Sequence, residues 1–337
     1  MNFEKVKPNI KFILSKVFLF VFCVLFISIY KKFFGSDNSI VGVILLMGTL
    51  MFIGNDFGYD TKYASILIPI TFVGVGVFAK LSLINPFIGL IINLVVIQCI
   101  LMVGRGDKNA SAYLPFMMGY IMFKGYDVSG DLFTKRLISL AVVGGFIGLI
   151  YFVVNKNKTF DKPYKEKFQN FLCNKSYKRW NLIYLVTLTF AIFVGDILHI
   201  EKSMWINLTV SSLIPPMKES IRERKSARIP ATIFGSIICF TLFGYVIPES
   251  YQPTVMMMGG LFSMFLTTYF VKTTYNSFAA LATASLIMPI HKAVFLRIIA
   301  NITGVIITIG SMFIFEKVFN NADDKEESLS RESLSSI

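Results

Sequence analysis

The sequence predicts an all-α, polytopic membrane protein: about twelve transmembrane helices, arranged as two six-helix repeats in parallel orientation. Two observations carry this. The 337 residues are 55% hydrophobic, only 16% charged, and include 34 phenylalanines, where a soluble domain has about 25% charged residues. The apolar residues also come in long blocks, many close to the ~20 residues that cross a bilayer core as a helix.

In chain order the longer predicted spans are 12–30, 63–80, 86–103, 137–154, 180–198, 229–247, 254–271 and 297–315. Shorter ones fall at 40–54, 111–124, 203–216 and 276–290. The first span is too long for the apolar core of a signal peptide. It is followed by Tyr30-Lys31-Lys32 rather than a small-residue cleavage site, so it is expected to remain as a helix. The predicted organisation is a first membrane half over 1–154, a basic cytoplasmic linker over 155–179, a second half over 180–318 and a disordered cytoplasmic tail over 319–337. The short spans are second and fifth in each half. Such matching interruptions are the sequence pointer to a transport site.

Charge orients the spans. With a cytoplasmic N-terminus and twelve crossings, 23 lysines and arginines fall on inside segments, eight of them between 156 and 179, against 9 on outside segments. The excess places both termini in the cytoplasm of a cell-membrane protein. It also accounts for most of the net charge of +13, with anionic lipid heads as partners and no need for nucleic acid. Trp180 and Trp205 are expected at the membrane interface.

Enzyme chemistry is nearly absent. His199 and His291 are the two histidines and lie far apart; no metal-ligand spacing and no phosphate-binding P-loop occurs. The cysteines, Cys23, Cys99, Cys173 and Cys239, lack the paired extracellular placement of a disulfide framework. The expectation is a protein with no catalytic residues, no metal and no cofactor.

The stretch RERKSARIPATIFG, 222–235, runs a basic cluster into a predicted helix, with Pro230 suited to its first turn. Arg228, Ala231, Thr232, Gly235 and Cys239 share one helical face. Small residues there either admit a neighbouring backbone or leave room for a ligand. RIIANITG repeats the pattern: Arg297, Ala300, Asn301 and Gly304 occupy the same offsets. In the predicted topology the two arginines begin their spans at opposite membrane faces. Asn207, Thr209, Ser211 and Ser212 in the eighth span, with Asn276, Ser277, Thr283 and Ser285 in the eleventh, could share a polar cavity or merely bond helices together. Asp196 is a candidate for a coupling proton, or else a solvated helix-end residue paired with Lys202.

The run WINLTVSSLIPPMKESIRERKSARIPATIFG resembles the signature of the fusaric acid resistance / aromatic acid exporter family, through Trp205, Thr209, Pro216, Arg228, Thr232 and Gly235. Ala231 stands where that family usually has Gly, and the first-half counterpart is eroded, with Ser65 and Ile66 after Lys62. The resemblance implies efflux of small organic, mainly aromatic, acids from the cytoplasm. The linker and tail are too short for the large cytoplasmic domains of many members, so the chain reads as a short form. The substrate-binding candidates are Arg228, Thr232, Gly235, Trp205, Asn207, Thr209, Ser212, Arg297 and Asn301. The partners expected are a small organic anion, membrane lipids, and a second copy of the chain or an accessory subunit. The alternative is a non-transporting membrane scaffold or envelope-assembly subunit with the same fold. A polar path through the short spans would favour transport and a dry midplane would favour the scaffold.

Overall fold

Apolar blocks with no polar backbone partner in lipid must close their own hydrogen bonds, and most of the long blocks here do so as a single helix. The computed structural model describes residues 10–54, 57–104, 112–157, 175–215 and 219–335, and among these the chain is all-helical. The first half contains α1 (Ile10–Phe34), α2 (Ser39–Gly54), α3 (Thr61–Leu81), α4 (Pro86–Val103), α5 (Leu114–Gly125) and α6 (Asp131–Asn155). The second contains α7 (Lys175–Ile197), α8 (Met204–Leu213), α9 (Glu219–Thr241), α10 (Gln252–Ser263), α11 (Tyr269–Ala284) and α12 (Ile290–Ser335).

Among the described residues eight helices are long and apolar enough to cross a membrane: α1, α2, α3, α4, α6, α7, α9 and α12. The others are short. α8 has 10 residues and α5 and α10 have 12 each, so at 1.5 Å per residue they reach roughly half of a ~30 Å core.

Local chemistry sets several ends. The Asp60 side chain accepts the Lys62 N–H at 2.8 Å and starts α3. Asn85 caps α4 through the Phe87 N–H, followed by Pro86 at the first helical position. Gly35 (φ 87°) turns the chain between α1 and α2 in a conformation that disfavours a side chain.

Contacts between turns show that helix direction alternates. At one end of the bundle Arg136 bonds Asn38 and the Tyr126 carbonyl, Lys80 pairs with Asp127 at 2.6 Å, Lys124 with Asp196 at 3.2 Å, and Lys292 with Glu201 at 2.7 Å. At the other end Thr61 donates to the Asn155 carbonyl, Tyr59 to that of Val103, and Trp180 to that of Pro215. α3 packs on α6 and α5, α2 on α6, and α1 on α2; six helices later α9 packs on α12 and α11, α8 on α12, and α7 on α8. α4 against α7 and α5 against α8 join the halves.

Several sequence expectations need correction. α9 begins at Glu219, ten residues before the predicted 229, so Pro230 lies inside the helix rather than in its first turn. The predicted span 254–271 ends as a helix at Ser263, and the chain turns over 264–268 before α11. Phe265 and Leu266 keep the turn apolar, which hid the break. The predicted disordered tail from 319 instead continues α12 to Ser335. Extending an existing helix avoids the unfavourable nucleation step, and Ala, Lys, Glu and Leu are good helix formers. Most of the linker, with Cys173, lies outside the described residues, as does Pro216.

Candidate functional site

Two glycines set the spacing of the second half. A Cβ on Gly235 would lie 2.2 Å from the Thr274 carbonyl oxygen, so α9 meets α11 backbone to side. A Cβ on Gly304 would lie 2.8 Å from the Thr209 Cβ and 3.0 Å from the Ile206 carbonyl, so α12 meets α8 as closely. The small-residue stripes are therefore packing faces at these two positions. Gly304 brings α12 onto α8 and Gly235 brings α9 onto α11, and Arg228 reaches Thr209 of α8 through its side chain.

The result is a polar cluster. Asn301 Oδ1 accepts from Arg228 Nε at 3.2 Å and from Thr232 Oγ1 at 3.2 Å. The Thr209 hydroxyl lies 2.9 Å from Asn301 Oδ1 and 2.9 Å from the Trp205 carbonyl, and it accepts from Arg228 Nη2 at 3.2 Å. Asn301 Nδ2 donates to the Arg297 carbonyl at 2.8 Å. The Arg297 guanidinium lies 5.1 Å from the centre of the Trp205 ring, within cation–π range.

Both arginines are buried, at 7% and 5% exposure. This corrects the expectation that they sit at opposite membrane faces. Because α9 and α12 start earlier than predicted, Arg228 is the tenth residue of its helix and Arg297 the eighth. They meet around one asparagine instead of reaching for two interfaces. Trp205 is likewise buried beside Arg297 rather than interfacial.

Beside the cluster lies a cavity of about 1090 Å³, lined by α2, α5, α8, α9, α11 and α12. Among the described residues its charged lining is Arg224, Arg228 and Arg297 against a single acid, Asp37. Tyr113, Tyr126 and Trp205 supply aromatic surface, and Met47, Met118, Met122 and Met204 a soft apolar wall. Ser211, Ser212, Asn276 and Thr283 add polar groups. Such a space suits a molecule with one anionic end and an apolar body. Two of the short helices, α5 with 12 residues and α8 with 10, contribute to the lining.

The predicted site residues divide accordingly. Arg228, Arg297, Trp205 and Ser212 line the cavity. Thr209, Thr232 and Asn301 form the bonded wall behind it, and Gly235 sits at a helix contact. Asn207 is buried with its Oδ1 unpartnered and is not part of the lining. Asp196 is also away from the cavity. Its partner is Lys124, not Lys202, whose ammonium lies 4.9 Å from the centre of the Tyr126 ring. Lys124 comes from α5, 72 positions earlier in the chain, and no sequence pattern signals the pairing. Sequence reasoning also missed Asp37 and the methionine wall. Arg224, from the basic cluster, donates through Nη1 to the Ser212 carbonyl at 3.1 Å.

Fold and cavity together define a polytopic helical membrane protein with a cationic, partly aromatic chamber. Residues 190–311 match the family model described as fusaric acid resistance protein-like, a segment holding Trp205, Arg228, Arg297 and Asn301. This match supports the resemblance read from the motif, and with it a membrane-transporter-like function in broad terms. No curated protein and no solved structure matches the chain.

Proposed function

We propose that this chain is a secondary exporter of small organic, mainly aromatic, acids across the cytoplasmic membrane, with both termini and the linker in the cytoplasm. One observation carries the reading: the chamber between the halves combines three arginines with aromatic and methionine walls. Arginine recognises carboxylates through paired hydrogen bonds, while flexible methionines tolerate differently shaped apolar bodies. The recurring helix pairings support two six-helix repeats that could rock about the chamber. Asp196 is the proposed coupling acid, with Lys124 as the partner it would exchange for a proton.

The test is uptake of radiolabelled benzoate into inverted membrane vesicles, with and without an imposed proton gradient. Gradient-dependent accumulation, reduced by Asp196→Asn, is the expected result. Flux no greater than in vesicles without the protein overturns the function. Equal flux with and without the gradient overturns the coupling.

A further inference from the structure

The cavity's three arginines are not equivalent. Arg228 is committed to the protein: its Nε and Nη2 donate to Asn301 and Thr209. Arg224 donates to the Ser212 carbonyl, and its guanidinium lies 5.3 Å from the centre of the Tyr269 ring. Arg297 differs. It is 5% exposed and lines the cavity, and among the described residues its buried Nε and Nη1 have no hydrogen-bond partner. Its guanidinium rests on the Trp205 ring.

The first half supplies an internal comparison. Arg136 lies near the start of α6 as Arg297 does near the start of α12, and each lies against an aromatic ring, Phe123 for the former at 5.3 Å. Arg136 is satisfied by the protein, with Nε on Asn38 at 3.1 Å and Nη2 on the Tyr126 carbonyl at 2.8 Å. It is not part of the cavity lining. In the second half the corresponding guanidinium keeps its ring and lacks its acceptors. A buried cation without acceptors is strongly disfavoured, and the space beside it is where an acceptor can enter.

We propose that Arg297 takes the carboxylate of the transported acid, while Arg228 is a positioning residue that holds the polar wall of Thr209 and Asn301 in register. This rests on the reading of the chamber as an anion site. An aromatic carboxylate bound there would place its anionic group on Arg297, beside the Trp205 ring, and its body toward Met122 and Met204.

The two roles predict opposite effects on stability. Replacing Arg297 removes an unpaired buried charge, so the empty protein should be as stable as before or more so. Replacing Arg228 strands Asn301 Oδ1 and Thr209 and should lower stability. The experiment measures benzoate binding calorimetrically on the purified full chain in lipid nanodiscs, and thermal unfolding without ligand. Benzyl alcohol and chloride serve as an uncharged and an inorganic comparison. Arg297→Gln is expected to weaken benzoate binding at least about tenfold without lowering the unfolding temperature. Arg228→Gln is expected to lower the unfolding temperature, and to weaken benzoate binding less than Arg297→Gln does. Benzyl alcohol should bind weakly to both the parent and Arg297→Gln.

Arg297→Gln that keeps benzoate binding, or that unfolds at a lower temperature, overturns the assignment and leaves the chamber reading intact. Chloride that displaces benzoate at equal concentration overturns the carboxylate as the recognised group. A parent protein that binds no benzoate overturns the chamber reading itself, and this assignment with it.

Discussion

Gly235→Ala probes the contact on which the site depends. The added methyl carbon would fall 2.2 Å from the Thr274 carbonyl oxygen and 2.8 Å from the Ser277 Cβ. The first of these atoms is backbone and cannot rotate away, so α9 and α11 must part by roughly 1 Å to restore an ordinary contact. Such overpacking costs about 1–3 kcal/mol. Loosening the bond from Ser277 Oγ to the Thr232 carbonyl, now 3.2 Å, adds about 0.6 kcal/mol. The helix preference of Ala over Gly returns up to about 1 kcal/mol. The net expectation is a loss of roughly 1–3 kcal/mol. Gly145→Ala is the control: a Cβ there meets nothing within 4 Å, so only the propensity gain applies. The assay is thermal unfolding of both variants in the same detergent. Gly235→Ala should unfold below the parent and Gly145→Ala at or above it. Gly235→Ala unfolding with the parent would refute the close α9–α11 approach, and with it the packing explanation of the small-residue stripe.

Two further outcomes are expected. Lys124→Met leaves the Asp196 carboxylate largely buried without its cation and should cost roughly 2–3 kcal/mol; Lys124→Met with Asp196→Asn should recover at least half in a double-mutant cycle, and strict additivity would count against the pair. An impermeant thiol reagent applied to intact cells should label a Ser129→Cys variant, at the turn before α6, and spare Cys173; the opposite pattern would invert the proposed orientation.

The fold was legible where composition changes abruptly. α3, α4 and α7 match their predicted spans within a few residues at most edges, because Asp60, Asn85-Pro86 and the basic linker interrupt the apolar pattern. Legibility failed where an apolar run turns without charged residues, as at 264–268, or where a charged run stays helical, as at 219–228 and beyond 319. Hydropathy reports the solvent a residue prefers. It does not report whether a helix has already been nucleated next to it.

That distinction decides how the arginines are read. On hydropathy alone, Arg228 ends a basic cluster and Arg297 opens an apolar run, so each is expected to mark a membrane surface. Ten residues of α9 precede or include Arg228, which carries its Cα roughly 13–14 Å along the helix axis, and α12 carries Arg297 inward in the same way. The spacing R-x-x-A-[TN]-x-x-G did hold structural information. It places the glycine two turns beyond the arginine on one face, and each glycine makes a close helix contact, Gly304 with α8 and Gly235 with α11. What the spacing could not contain is the identity of the acceptor, since Asn301 lies 73 positions from Arg228. Two chemically identical motif arginines are thus told apart only in three dimensions: Arg228 is bonded to Asn301 and Thr209, while among the described residues no acceptor meets Arg297 Nε or Nη1.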